Sequence, residues 1–468
     1  MSPRVPFSEL SALQRAHALL DAGSFVPSID TGTMTPLVLG EGRVDGTPVL
    51  VALIDGRVRG GTIGMHEAAV LARIEHDAAD GRRRPLIIGF DTGGVRVEEG
   101  PRALAATSAV GVALARLTLL GVPVAGVISG PRGCFGALAV MAALPDYVVI
   151  TDNANWGLTG PKLLGDIHHA SGAAVYAATS AATRLANGDA QAVVSDDAAA
   201  IRAALRSFVR GGPEAATLLE RIARSARISA QLRDRFRAQR PMAAAAAPLK
   251  KGRRRRDLLR YSFRGQWHPG EMMQRAGLVH AALGTLGTHP ALGLIVGPEE
   301  VSDGGVGIEE AALVTDMLRR AAQQGGDPAL VLTFLFCQGH AVDHTQERFG
   351  LHRALAECLR AMVGVRMLGH VVVSVLGGGT YGAAYLSLAA PSHRILAMRG
   401  PSVAPMAPQV LRAFQALRGQ KVGHEAAAQL AELIPDIRIV ESVIRLPRIL
   451  REELGKLLQE TRPDADAA

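Results

Sequence analysis

Aromatic residues make up only 4% of the chain, and its 468 residues include two tryptophans and three cysteines. So few flat side chains leave little with which to stack unpaired nucleic-acid bases. Cys134, Cys337 and Cys358 are odd in number and show no C-x-x-C spacing, which argues against a disulfide framework and a zinc ribbon. Long apolar runs are missing too. The longest, such as Leu117–Ile128, fall short of the roughly 18 residues of a membrane span, and Glu9 and Arg15 interrupt the stretch a signal peptide would need. The expectation is a cytoplasmic protein that binds neither membrane nor nucleic acid. Neither G-x-S-x-G nor G-x-x-x-x-G-K-[ST] occurs, so the commonest serine-hydrolase and phosphate-loop chemistries are removed.

What the chain has in quantity is glycine, 52 residues of it, within an ordinary globular balance of 48% hydrophobic and 20% charged residues. The length exceeds what one core usually organises, so two domains are expected. A net charge of +8 suits a polyanionic partner. In the middle, PMAAAAAPLKKGRRRRDLLR combines an alanine run, prolines and a dense basic cluster. It reads as a linker, residues 241–260, between domains at 1–240 and 261–468. The rival reading of Arg253–Arg256 as a nucleic-acid patch is weaker, because a charge run between domains is usually solvated.

The same strand-helix pattern appears on both sides of that linker. An apolar strand, Pro85–Phe90, runs into Asp91-Thr92-Gly93-Gly94; a helical stretch, Ala103–Leu120, follows; a second strand, VAGVI, leads into SGPRGCFGALAVMAAL. In the second half Ala329–Phe336 meets Gly339, a helix starts near Leu351, and Val371–Leu376 leads into GGGTYGAAYLSLAA. Setting Gly136 against Gly382 also pairs Gly133 with Gly379, Phe135 with Tyr381, Ala137 with Ala383 and Pro145 with Pro391. Such a duplication predicts an α/β fold with two similar domains.

The elements that carry chemistry are the paired turns Gly133-Cys134-Phe135-Gly136 and Gly379-Thr380-Tyr381-Gly382, each between a buried strand and an apolar helix. Glycine lets a substrate oxygen approach, and unpaired backbone N–H groups at a helix start stabilise a developing oxyanion. A glycine turn can equally serve packing alone, but two matched turns favour function. Gly93, Gly94 and Arg96 are expected to line the same cleft, with Gly160 as a further substrate-binding position. FDTGG also contains the D-T-G triplet of aspartic proteases, but the corresponding place in the second half reads Phe336-Cys337-Gln338-Gly339, so the duplicated frame supplies no partner carboxylate for a dyad. His340, His344 and Glu347 at i, i+4 and i+7 would form a metal site only on a continuous helix, which Gly339 argues against. His168-His169 is weaker still, and no metal is expected.

Taken together, RPLIIGFDTGGVRVEEG, PVAGVISGPRGCFGALAVMAALPDYVVIT and NANWGLTGPKLL resemble the beta subunit of the malonate decarboxylase family, in the carboxyltransferase branch of the crotonase-like superfamily. ERFGLHRALAECLRAM followed by LGHVVVSVLGGGTYGAAYLSL resembles the gamma subunit, less specifically. The resemblance implies two crotonase-like carboxyltransferase domains, each a ββα spiral, with backbone amides of the glycine turns stabilising thioester-derived enolates where the halves meet. It implies decarboxylation of a malonyl group on an acyl carrier protein, whose phosphoribosyl-dephospho-CoA arm is the group bound, this chain owning no covalent cofactor. An acetyl-carrier:malonate transferase subunit and a homo-oligomer are the further partners implied. Tyr381, His340 and a water remain open as the proton donor. The second half departs from that pattern, carrying Cys337-Gln338-Gly339-His340 where carboxyltransferase C-terminal domains often have an Asp-Thr-Pro-Gly-like turn.

Overall fold

Strands that are apolar on both faces belong in the middle of a sheet covered on both sides, and the runs read above all become such strands. The computed structural model describes residues 5–28, 35–78, 84–168, 172–211, 215–239, 262–263, 266–271, 273–297, 305–324, 328–337, 339–400, 402–418, 425–426, 431 and 436–460. The linker at 241–260, including Arg253–Arg256, lies outside these residues, as does His169. The chain forms two compact units: 1–216 with 342–356 and 409–421, and 217–341 with 357–408 and 422–468. This division differs from one drawn at the basic stretch. The helix Leu218–Gln239 groups with the second unit, where it lies on the helix Ile308–Ala322 through Ser229–Thr315 and Arg237–Glu309 contacts.

The first unit holds a seven-stranded sheet in sequence order: β1 (Val26–Pro27), β2 (Leu37–Val44), β3 (Thr47–Ile54), β4 (Leu86–Phe90), β5 (Val124–Ile128), β6 (Tyr147–Thr151) and β7 (Ala192–Val194). β1, β2 and β3 pair antiparallel; from β3 onward every pairing is parallel, with Leu50 opposite Leu86 and Leu86 opposite Val124. Parallel neighbours need crossovers, and the helices Met65–Ala78 and Gly100–Leu119 supply two of them. The second of these, counted with the turn before it as Val97–Leu119, is long and apolar enough, by length and composition, to cross a membrane, yet 61% of its apolar stretch is buried inside the protein. On the sheet's opposite face Phe7, Leu19, Val51, Ile87, Val127, Val149 and Leu205 pack into one core.

The second unit repeats the plan with β8 (Trp267–Pro269), β9 (Gln274–Ala276), β10 (Val279–Leu286), β11 (His289–Val296), β12 (Leu330–Leu335), β13 (Val371–Leu376), β14 (Thr380–Tyr381), β15 (Arg394–Met398), β16 (Ser402–Ala404), β17 (Glu425–Ala426) and β18 (Ile437–Val440). An antiparallel hairpin, β10–β11, leads into parallel β12, β13, β15 and β18. β14, β16 and β17 form a small separate sheet.

Candidate active site

In parallel sheets the useful surface lies beyond the carboxyl ends of the strands, where the chain leaves the ladder and side chains give way to backbone. In the first unit each chain end beyond the sheet makes one more residue-wide pairing. Thr92, after β4, pairs with Cys134, after β5, and Cys134 pairs in turn with Trp156, after β6. The bonds are short and consistent: Thr92 N–H to Gly133 O at 2.8 Å, Phe135 N–H to Thr92 O at 3.1 Å, Cys134 N–H to Asn155 O at 3.0 Å, and Gly157 N–H to Cys134 O at 3.1 Å. Gly136 N–H donates to Leu158 O at 3.0 Å, and Gly93 N–H to Gly60 O at 2.9 Å.

The amides expected to be free in this turn are already bonded. The amides of Gly133, Cys134, Phe135 and Gly136 have internal acceptors, Gly130 O taking that of Gly133. Around this turn, among the described residues, the N–H groups with no acceptor opposite them are those of Val95, Ala137 and Leu138, all buried. Val95 and Ala137 each directly follow a glycine, Gly94 or Gly136, and these two glycines face each other: a Cβ built on Gly136 would stand 3.5 Å from the Gly94 Cα. Their φ angles, +105° and +68°, lie where L-residues are strained, so glycine is required to turn the following peptide. The glycines therefore shape the turn, and the residues after them present the amides. The sequence singled out the glycines because only they stand out by type; an alanine or valine backbone carries no such mark.

The remaining side chains of the expected site divide differently. Cys134 is fully buried, and burial raises its thiol well above the ordinary cysteine range, so it stays protonated. Arg96, expected to face substrate, donates instead to Glu67 at 2.9 Å, Glu99 at 2.8 Å and the Thr62 carbonyl at 2.8 Å, and so fixes the loop before the helix Met65–Ala78. Gly160 faces open space. Asp91 forms a buried pair with Arg15 at 2.8 Å, burial lifting its carboxyl above the usual range while Arg15 opposes that shift.

The second unit carries a turn of matching geometry. Gly339 has φ +112°, and a Cβ there would lie 3.5 Å from Tyr381 O, as one on Gly94 would lie 3.0 Å from Phe135 O. Val306 brackets His340 through bonds to Gly339 O and Ala341 N–H, as Ile63 brackets Val95 through Gly94 O and Arg96 N–H. Gly382 takes φ +49°. Thr380 is fully buried, and the Tyr381 hydroxyl folds back over Gly379. His340 thus occupies Val95's place. Its Nε2 is buried without a hydrogen-bond partner among the described residues, and burial lowers it to about 4. Among the described residues no three His, Cys, Asp or Glu side chains gather as metal ligands. His340 is an isolated bridge residue, whereas Glu347, in the helix His344–Arg348, bonds backbone amides.

Residues 6–216 match the Carboxyl transferase domain model. The chain is 35% identical over 135 residues to the acetyl-coenzyme A carboxylase carboxyl transferase subunit beta 1 of Roseiflexus castenholzii, covering 29% of this chain and 44% of that protein. It is 24% identical over 266 residues to the malonyl-S-ACP:biotin-protein carboxyltransferase MADC of Malonomonas rubra, covering 48% of this chain and 82% of that one. A chain of a Pseudomonas malonate decarboxylase hetero-dimer is similar at 34% identity and TM-score 0.40, covering 45% of this chain and 91% of its own. The matches to three curated relatives cover 44%, 31% and 62% of those proteins' lengths. Residues 6–216 of this chain therefore belong to the carboxyl transferase domain family.

Proposed function

We propose that the chain decarboxylates malonyl groups carried as thioesters on an acyl carrier protein, as fused beta-like and gamma-like parts of a biotin-independent malonate decarboxylase. The observation that carries the reading is the pair of unclaimed amides, Val95 and Ala137, following two glycines that face each other inside a carboxyl transferase domain. Leaving a buried donor unsatisfied costs about 1–3 kcal/mol, so such a pair is kept where a ligand oxygen completes it. When the bond from the malonyl α-carbon to its carboxylate breaks, carbon dioxide departs and the electron pair moves toward the thioester carbonyl. The two N–H groups stabilise the enolate oxygen that forms, and the α-carbon then takes a proton to give the acetyl thioester. Donors of this kind accelerate reaction only as far as they bind the transition state better than the substrate.

In this reading both units are crotonase-like spirals, the carrier's phosphoribosyl-dephospho-CoA arm is substrate rather than cofactor, and a separate transferase subunit reloads the carrier in the cytoplasm. A second reading, a biotin-dependent carboxyltransferase, is favoured by the Malonomonas rubra relative, whose name couples malonyl-S-ACP to biotin-protein. The enolate is common to both. The experiment is to supply malonyl-loaded carrier to the full chain and to measure carbon dioxide and acetyl carrier with and without avidin. Avidin-insensitive release of carbon dioxide with acetyl carrier supports the decarboxylase; acetyl carrier that forms only with added biotin-protein, its carboxyl group passing to the biotin instead of leaving as carbon dioxide, and that avidin stops, supports the second reading. No acetyl carrier under either condition overturns both.

A further inference from the structure

Glu347 lies far along the chain from the first glycine turn, yet it belongs to the first compact unit through the segment 342–356. Its carboxylate is fully buried and accepts two successive amides, Leu158 N–H at 3.0 Å and Thr159 N–H at 2.7 Å. The peptide group that offers the Thr159 N–H to Glu347 is the one whose carbonyl, Leu158 O, accepts the Gly136 N–H at 3.0 Å. One rigid peptide plane therefore links the carboxylate to the glycine turn. A charged acceptor on one end of that plane polarises it and strengthens the bond at the other end.

The carboxylate is itself held in place. Arg184, fully buried, donates to the carbonyls of Glu347 at 2.8 Å and Arg348 at 3.1 Å and to the Asp189 carboxylate at 3.0 Å. Asn187 donates to Arg348 O at 2.7 Å, and the His352 ring packs on Trp156 at 4.5 Å. Gly157 leaves room where a Cβ would stand 2.8 Å from Glu347 Oε2. A buried carboxylate is costly, and burial raises this one above the usual range while the two amides and Arg184 oppose the shift. Filling space alone would not call for a charge there.

We propose that Glu347 is a positioning residue, whose carboxylate fixes the Leu158–Thr159 peptide and through it Gly136 and the direction of the Ala137 N–H. The assignment rests on the reading of that turn as the thioester-oxygen site. The test uses Glu347→Gln in the full chain, which keeps the shape but sets an NH2 group against one of the two amides. Hydrogen exchange by mass spectrometry over residues 133–142 should show the Gly136 amide exchanging at least tenfold faster, with β12 and β13 unchanged. With malonyl carrier, kcat should fall tenfold or more and KM stay within twofold. Gly157→Ala, which displaces the carboxylate without removing it, should give the same exchange signature if Glu347→Gln does not fold. Unchanged Gly136 protection in a folded variant overturns the positioning role, and lost protection with normal kcat overturns its link to catalysis. Failure of the wild-type chain to turn over malonyl carrier would sink the functional reading, while the exchange measurement still decides whether the clamp exists.

Discussion

Gly136→Ala is the substitution for which the structure gives the most explicit expectation. Space is not the obstacle, because the added Cβ would meet the Gly94 Cα at 3.5 Å, an ordinary contact. The backbone is: Gly136 sits at φ +68°, ψ −149°, a region almost closed to residues with a Cβ, and holding alanine there costs about 1–3 kcal/mol. For a unit of this size that strain lowers the thermal midpoint by roughly 2–4 °C per kcal/mol. The chain can relieve it only by rotating the peptide, which turns the Ala137 N–H away from its present direction. Loss of one well-placed donor should then lower kcat about a hundredfold or more. The assay pairs decarboxylation of malonyl carrier with the thermal midpoint, beside Gly455→Ala in the open helix Leu446–Glu460, which should be neutral or slightly stabilising. Gly382→Val asks the same question of the second turn, where its Cβ would stand 2.7 Å from Pro405 O. A folded Gly136→Ala protein with kcat near wild type would refute the reasoning and leave the glycine to packing.

Three further outcomes are expected. Arg96→Leu strands the Glu67 carboxylate it now pairs with and should cost about 3–5 kcal/mol in unfolding measurements; a raised KM at unchanged stability would restore Arg96 to substrate binding. Cys134→Ala should keep kcat within roughly threefold, and the native thiol should resist maleimide at pH 8, since burial keeps it protonated; rapid labelling or lost activity would contradict this. His340 and His393, both lowered to about 4 by burial, are protonated near 6.5 when unfolded, so their contribution is present above that pH and lost as pH falls through 4. Each contributes up to about 3 kcal/mol, and His340→Gln should flatten the fall of the thermal midpoint between those two pH values.

The parallel strands were readable because each is apolar on both faces: VAGVI and VVVSVL become Val124–Ile128 and Val371–Leu376 without a shift of boundary. The helix expected at Ala103–Leu120 runs Gly100–Leu119, with Pro101 in its first turn, where a missing N–H costs nothing. The two glycine turns were readable as glycine. Which amides they free was not, because that depends on the carbonyls of Thr92, Asn155 and Leu158, whose positions follow from the fold rather than from side-chain type. The cluster of Glu347, Arg184, Asp189 and His352 was hidden for a different reason: the pair Arg184 and Asp189 is far along the chain from the pair Glu347 and His352, and a charged residue in an amphipathic segment ordinarily faces water. Arg96 misled in the same way, since an arginine beside a glycine turn resembles a ligand group until Glu67 and Glu99 are seen around it.

If the Ala137 amide receives the thioester oxygen, turnover depends on that one hydrogen, which can be removed. Incorporating lactic acid in place of Ala137 during translation turns the amide into an ester, deletes the N–H and leaves the side chain as it was. A matched ester at Ala139, whose N–H already donates to Gly136 O at 3.0 Å, controls for the weaker backbone. With malonyl carrier, the Ala137 ester should lose roughly a hundredfold or more in kcat and the Ala139 ester far less, both remaining folded. Equal rates for the two esters would contradict the account.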